Sequence, residues 1–161
     1  MKRICACLLI LLLLTGCKSN TVFETVSDDV QYVLAQPGQI KLQLPPEAAV
    51  TTVSDGMGNR IYLCDGYSVA VQTFSAGDLE ETLRSVTGFS RDALTLLQTK
   101  QGTLDRYECA WSCVGEQEQV GRAVILSDGL YHYAVSILAD TGTDQAGWQK
   151  VLQSIEVNTA L

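Results

Sequence analysis

The side chains that could perform nucleophilic chemistry in this chain are its cysteines and its single histidine, His132. Cys109 and Cys113 lie in one stretch of alternating residues, and an imidazole beside a thiol generates a reactive thiolate. A pair of His132 with either cysteine would therefore predict a thiol-dependent enzyme. However, alternation along one strand does not bring these residues together, and no oxyanion-forming motif accompanies them. The sequence favours a non-catalytic protein, with the thiol-dependent enzyme as the alternative.

The same residue types bear on metals and disulfides. A single histidine excludes multi-histidine sites, and Cys64, Cys109 and Cys113 lack the CxxC spacing of zinc ligands. On an extended strand, Cys109 and Cys113 would lie about 13 Å apart at roughly 3.3 Å per residue, too far for a disulfide. Two interpretations stay open, a bridge from Cys64 to one of them or three free thiols. We expect no metal and no cofactor.

The beginning of the chain has the order of an export signal. Met1-Lys2-Arg3 precedes an apolar run from Ile4 to Leu14, which is shorter than the roughly 20 helical residues that cross a bilayer. The run ends in Leu14-Thr15-Gly16-Cys17, which resembles the lipobox of bacterial lipoproteins. That resemblance implies a diacylglyceryl group on the Cys17 thiol and cleavage before Cys17. The protein would then be lipid-anchored in a bacterial cell membrane or outer membrane. The alternative is a plain signal peptide with a chance cysteine.

These features divide the precursor into three predicted parts. They are a lipoprotein signal peptide over residues 1–16, a lipidated tether over 17–29 and one globular domain over 30–161. The tether is polar, as suits a flexible spacer. Cleavage would leave 145 residues, enough for one compact domain. A composition with 47% hydrophobic and 18% charged residues is typical of a globular protein.

The charge balance restricts the partners. The formal net charge is −7, and loss of Lys2 and Arg3 with the signal would make it −9. Because an acidic chain is repelled by phosphate backbones, we expect no nucleic-acid partner. The expected partners are the membrane, through the lipid anchor, and an extracytoplasmic protein or small ligand.

Alternating and apolar segments predict strands in the first half of the domain. Residues 39–44 alternate and stop at Pro45-Pro46, which indicates a half-buried or edge strand. Farther on, Asp65-Gly66 separates the apolar segments Arg60–Cys64 and Tyr67–Phe74. A two-residue Asp-Gly link of this kind predicts a tight hairpin.

Two helices are predicted, one in the middle and one at the end of the domain. Asp78 can cap a helix that runs to Val86, with Glu81 completing a capping box, and Gly88 can end it. The closing helix is predicted over residues 143–155, because four apolar residues are spaced i, i+3, i+4 and i+7: Trp148, Val151, Leu152 and Ile155.

Four sequential strands are predicted between the helices, over residues 94–100, 103–114, 120–127 and 130–139. Gln101-Gly102 and Asp128-Gly129 are the predicted turns. A two-residue turn at Asp128-Gly129 would pair Val124 with Tyr133 and Leu126 with Tyr131. It would also place Ile125 and His132 on the opposite face. Since both faces carry apolar residues, we expect both to be covered.

This order of elements resembles the PsbP/Mog1-like α/β/α sandwich found in small bacterial lipoproteins. The resemblance extends over residues 39–157 and rests on an early strand ending in proline, the middle helix and a closing helix headed by Trp148. It implies an α+β fold with a mostly antiparallel sheet of about six to seven strands and helices packed on it. It also implies a binding or accessory role, and it supplies no catalytic residues.

The sequence thus predicts a membrane-anchored extracytoplasmic lipoprotein whose domain binds a ligand or a partner protein. A structural envelope component is a further alternative. Cys17 is the predicted lipidation site. Trp111, Tyr131 and Tyr133 are candidates for an aromatic groove that would hold a small ligand or peptide.

Overall fold

A computed structural model describes residues 37–53, 59–113 and 118–158 of the chain. All of them belong to one compact unit, Ala35–Leu161. The predicted signal peptide, tether and lipidation site lie outside the described residues and stay predictions. Within the part of the chain that is described, no helix is long and apolar enough to cross a membrane.

The described residues form nine strands, two helices and a short 3-10 turn at Arg91–Ala93. The strands are β1 (Gln39–Lys41), β2 (Ala49–Val53), β3 (Arg60–Cys64), β4 (Tyr67–Ser75), β5 (Thr95–Gln101), β6 (Leu104–Cys113), β7 (Gln119–Ser127), β8 (Tyr131–Asp140) and β9 (Glu156–Asn158). The helices are α1 (Leu79–Thr87) and α2 (Gln145–Gln153).

Seven strands form one antiparallel sheet in the order β2-β3-β4-β8-β7-β6-β5, and β1 pairs with β9 in a separate two-stranded sheet. The predicted α+β fold with a mostly antiparallel sheet is therefore confirmed. The predicted strand over 39–44 is shorter than expected, since only Gln39–Lys41 pairs. Strands β2 and β9 were not predicted.

Two hairpins lie at the Gly-containing turns that the sequence predicts, one with the predicted turn residues and one shifted by a residue. Asp65-Gly66 joins β3 to β4 as predicted, with Gly66 at a φ of +74°. The β5–β6 turn is Gly102-Thr103 instead of Gln101-Gly102, because Gln101 pairs with Leu104. The turn thus uses Gly102, at a φ of +61°, as its first residue.

The β7–β8 connection is longer than the predicted two-residue turn. Ser127 pairs with His132 and Leu126 with Tyr133, so the predicted pairing was wrong by two residues. The reason is the Asp128 side chain, whose Oδ1 accepts hydrogen bonds from the Leu130 and Tyr131 backbone N–H groups at 2.8 and 2.7 Å. A shift of two residues preserves the face of every side chain. The predicted faces of the strand residues are therefore confirmed.

One helix packs on each face of the large sheet. Asp78 caps α1 by accepting a hydrogen bond from the Glu80 N–H, and Gly88 ends the helix at a φ of +79°. Leu83 of α1 is buried against one face, with Cys109, Ala123, Ile125 and Ala134. The α2 side of the core contains the apolar residues predicted for the closing helix: Trp148, Val151, Leu152 and Ile155. Both faces are covered, as predicted.

Candidate functional site

The structure does not bring the predicted thiol–imidazole pair together. Through β7, Cys109 stands in register with Ser136 of β8, four residues from His132. That separation is about 13 Å along the strands, at roughly 3.3 Å per residue, and about 10 Å across two strand spacings. Cys113 lies four residues farther from His132. The pairing proposed for a thiol-dependent enzyme is therefore wrong.

His132 instead has a structural environment. It is buried, and a 2.7 Å hydrogen bond joins its Nδ1 to the Thr82 hydroxyl of α1. Burial lowers the pKa of His132, although the nearby Asp128 carboxylate acts to raise it. A neutral, buried histidine that joins α1 to β8 has no access to a substrate.

The three cysteines among the described residues, Cys64, Cys109 and Cys113, are free thiols. Cys64 packs on the α2 face of β3, whereas Cys109 packs on the α1 face of β6. The two strands are four positions apart in the sheet, or about 19 Å at roughly 4.8 Å per strand. Of the two interpretations left open by the sequence, the structure has three free thiols. Burial raises the pKa of Cys109 to about 11, so its thiol is protonated at neutral pH.

The three aromatic residues predicted to line a groove do not share one surface. Trp111 packs on the α1 face, while Tyr131 and Tyr133 pack on the α2 face. The two tyrosine rings are neighbours, with centroids 6.2 Å apart. Trp111 lies across Gly121 of β7, where an added Cβ would overlap its indole ring. These aromatic residues therefore pack the two faces separately.

Tyr133 ties the start of the described domain to the β7–β8 loop. Its hydroxyl accepts a 2.9 Å hydrogen bond from the Gly38 N–H and donates one of 2.7 Å to Asp128 Oδ2. Although burial acts to raise the pKa of Asp128, its hydrogen bonds from Tyr133, Tyr131 and Leu130 outweigh burial and lower it. We call this hydrogen-bond network of Gly38, Tyr133 and Asp128 the clasp, and its role is structural.

A cleft lies beside the first turns of α2 in the described part of the chain. Its volume is about 660 Å³, within the range of roughly 300–1,000 Å³ that is common for ligand sites. Three segments that are distant in sequence form it: residues 43–47 after β1, the β3–β4 turn with Tyr67, and residues 143–151. We call this concavity the α2 cleft.

Side-chain hydrogen bonds hold the walls of the α2 cleft together. The Gln43 N–H donates to Ser154 Oγ at 2.8 Å, which ties the segment after β1 to the end of α2. The Thr143 hydroxyl donates to the Gly66 carbonyl at 3.1 Å, which ties the β3–β4 turn to the entry of α2. The shape of the cleft is thus set by contacts between its walls.

Tyr67 contributes its phenol to the α2 cleft. Its hydroxyl lies beside the Cys64 thiol, and Glu47 is close enough to influence both groups electrostatically. Burial, with the Cys64 and Glu47 contributions, raises the pKa of Tyr67 to about 12. Burial also raises the pKa of Cys64. Both groups are neutral at physiological pH and offer hydrogen bonding without nucleophilic reactivity.

The cleft contains a helical glycine that packing does not explain. Gly147 is exposed within α2, and the nearest heavy atom to a Cβ added there would be Tyr67 Oη at 3.9 Å. Alanine would fit at this contact distance and would favour the helix by about 0.5–1 kcal/mol. Glycine at this position leaves the helical wall of the cleft without a side chain, at the expense of helix stability.

The sequence did not predict this cleft. Its lining residues Pro45, Asp65 and Gly66 indicated only turns in the sequence. The segments meet because β1 pairs with β9 while α2 packs on the sheet. The signals that could have indicated it are the glycine inside the closing helix and the Pro45-Pro46 turn opposite.

The described residues form an α+β domain, and a comparison with a solved structure agrees with this fold. A crystal structure from Bacteroides thetaiotaomicron superposes with a TM-score of 0.51 at 15% identity, covering 74% of this chain and 45% of that one. This chain therefore spans less than half of that protein. LpqN of Mycobacterium tuberculosis, described as involved in cell envelope biogenesis, has a TM-score of 0.45 at 11% identity, covering 78% and 87% of the two chains.

Likenesses at these identities concern the fold alone. No family model matches the chain, and no curated protein matches it. The PsbP/Mog1 assignment therefore stays a prediction.

Proposed function

We propose that this protein is a lipid-anchored extracytoplasmic lipoprotein whose domain binds a ligand without catalysis. In this proposal, Cys17 carries the lipid, residues 17–29 form the tether, and the α2 cleft is the binding site. The ligand is a small molecule or a short segment of a partner protein.

The observation that carries the binding role is the α2 cleft itself. It combines apolar walls from Leu44, Pro45 and Val151 with hydrogen-bonding groups such as the Tyr67 hydroxyl. Ligand sites commonly have this mixture of apolar surface and a few polar groups.

Two features of the described residues support binding over catalysis. No cluster of three or more histidine, cysteine or acidic residues in that part of the chain could hold a metal ion. The candidate nucleophile and base lie on one sheet face but well apart. The side chains around the cleft are suited to recognition and supply no activated nucleophile.

A matched pair of glycine substitutions tests the cleft. Gly147→Phe should fill the cleft without disrupting the fold, because the position is exposed and has space for a side chain. Gly77→Phe is the control, because a Cβ there meets nothing within 4 Å and Gly77 does not line the cleft.

The readout is thermal stabilisation of the purified protein by a library of metabolites and short peptides. A ligand at 100 times its dissociation constant stabilises the native state by about 2.7 kcal/mol. Compounds that stabilise the wild type and Gly77→Phe should fail with Gly147→Phe. If the same compounds stabilise all three proteins equally, the α2 cleft is not the binding site.

A further inference from the structure

A second recess lies on the other side of α2, between the helix and strands β5–β7. Its volume is about 400 Å³. The residues of this recess that matter for binding are Arg106, Glu108, Ala110, Arg122, Gln149 and Leu152. Arg106, Glu108 and Arg122 alternate with residues of the α1 face, so they belong to the α2 face. We call this concavity the arginine recess.

The two arginines of the recess differ in their partners. Arg106 is largely buried and satisfied, since its Nε donates to Glu108 Oε1 at 2.8 Å and its Nη1 donates to Gln101 Oε1 at 2.6 Å. Among the ion pairs of the described residues, none involves Arg122. The ion pair of Arg106 and Glu108 has no net charge. The recess therefore carries one positive charge, that of Arg122.

Arg122 is also oriented by an aromatic ring. Its guanidinium carbon lies 5.4 Å from the ring centroid of Trp148, which is only 2% exposed. A cation over a buried indole is held by the ring quadrupole, and the edge of the guanidinium keeps its N–H donors. A planar fork of donors matches the two oxygens of a carboxylate.

We propose that the arginine recess binds a monocarboxylate with an apolar body. Arg122 donates to the carboxylate, and the body of the ligand contacts Leu152 and the exposed Ala110, which lies opposite Arg122 on β6. The Gln149 amide lies at the same recess and can donate a further hydrogen bond. A ligand with two negative charges is disfavoured, because Arg122 supplies a single uncompensated positive charge. The Glu108 carboxylate is also near, on β6 opposite Val124 of β7, two residues along from Arg122. This site is separate from the α2 cleft and does not depend on the function proposed for it.

A titration of the purified full-length protein with benzoate tests the site. Nitrogen–proton NMR correlation spectra recorded at each benzoate concentration are the readout. Benzoate should shift the Arg122 Nε–H and Trp148 Nε1–H signals together, with a dissociation constant on the order of 1 mM. Benzamide, which has the same ring without the charge, should not bind at these concentrations. Inorganic phosphate should bind more weakly than benzoate.

Substitutions that are expected to weaken or to strengthen benzoate binding provide a second test. Arg122→Gln should weaken benzoate binding by about tenfold or more, and Arg122→Lys should restore only part of it because an ammonium lacks the fork. Glu108→Gln should strengthen binding, since it leaves Arg106 without its carboxylate partner and so adds a second positive charge to the recess. Arg91→Gln is the control, because Arg91 is an exposed arginine outside the recess. Dispersed spectra of each variant verify folding.

Three results would overturn the proposal. They are benzoate shifts that map away from Arg122 and Trp148, binding that Arg122→Gln leaves unchanged, and phosphate or benzamide binding as tightly as benzoate.

Discussion

Removing one hydroxyl from the clasp at the β7–β8 loop should destabilise the domain in a pH-dependent way. In Tyr133→Phe, Asp128 Oδ2 loses a 2.7 Å donor and the Gly38 N–H loses a 2.9 Å acceptor. The tyrosine is 1% exposed, so water cannot readily replace the hydroxyl. A hydrogen bond to a charged group contributes about 1.5–3 kcal/mol and a neutral one about 1 kcal/mol. We expect a total loss of about 2.5–4 kcal/mol at pH 7.

The pH dependence follows from the lowered pKa of Asp128 in the folded protein. A carboxyl group with a depressed folded pKa adds stability that is fully present above its unfolded pKa, about 3.9 for aspartate. That stability is lost as the pH falls through the folded value. The difference between wild type and Tyr133→Phe should therefore be constant above about pH 5 and shrink in acid, to the roughly 1 kcal/mol of the Gly38 contact.

Urea melts of wild type, Tyr133→Phe, Asp128→Asn and the double variant, each from pH 7 to pH 2.5, measure this effect. The double-mutant cycle should give a Tyr133–Asp128 coupling at pH 7 that declines in acid. A Tyr133→Phe loss of the same size at every pH would refute the assignment of the stabilisation to the Asp128 carboxylate.

Other substitutions test the two faces of the sheet. Trp148→Ala should destabilise the domain by about 3–5 kcal/mol, because the indole is 2% exposed in the core. Gln145→Ala, at an exposed position of α2, should change stability by no more than about 0.5 kcal/mol in the same denaturant melts. Gly121→Ala should destabilise by about 1–3 kcal/mol, since a Cβ there overlaps Trp111. Cys109, whose pKa burial raises to about 11, should resist thiol labelling at pH 8 in the folded protein.

Controls for the last two predictions are available in the chain. Gly77→Ala adds a methyl group where nothing lies within 4 Å and should be neutral. Cys113 is only half-buried and should label faster than Cys109. Equal losses from Gly121→Ala and Gly77→Ala would contradict the tight Trp111 contact, and equal labelling rates would contradict the burial of Cys109.

Local sequence signals predicted the elements that depend on neighbouring residues. Asp78 and Gly88 define the ends of α1, and Asp65-Gly66 makes the expected hairpin. The predicted side-chain faces of β7 and β8 are confirmed although the predicted register is wrong, because a shift of two residues preserves the alternation of faces. Side-chain capping by Asp128 lengthened that loop, and turn residues alone do not reveal it.

Elements that depend on distant partners could not be predicted from local patterns. Strand β9 has three residues and exists because it pairs with β1, more than 110 residues away. Strand β2 lacks clear alternation and lies at the sheet edge beside β3. The α2 cleft depends on three remote segments. The predicted groove residues lie on opposite faces because the register through β7 aligns Trp111 with Leu138 of β8, an odd number of residues from Tyr131 and Tyr133.

The membrane anchor is the claim on which an extracytoplasmic role depends, and intact mass spectrometry of protein purified from bacterial membranes tests it most directly. We expect the wild-type protein to begin at Cys17 and to carry a diacylglyceryl group. Its acyl chains hold it at the membrane with about 0.8 kcal/mol per buried CH₂. Cys17→Ser should lack the lipid and leave the membrane fraction while the domain still folds. An unmodified wild-type mass, or a Cys17→Ser protein that stays fully in the membrane fraction, would contradict the lipid anchor.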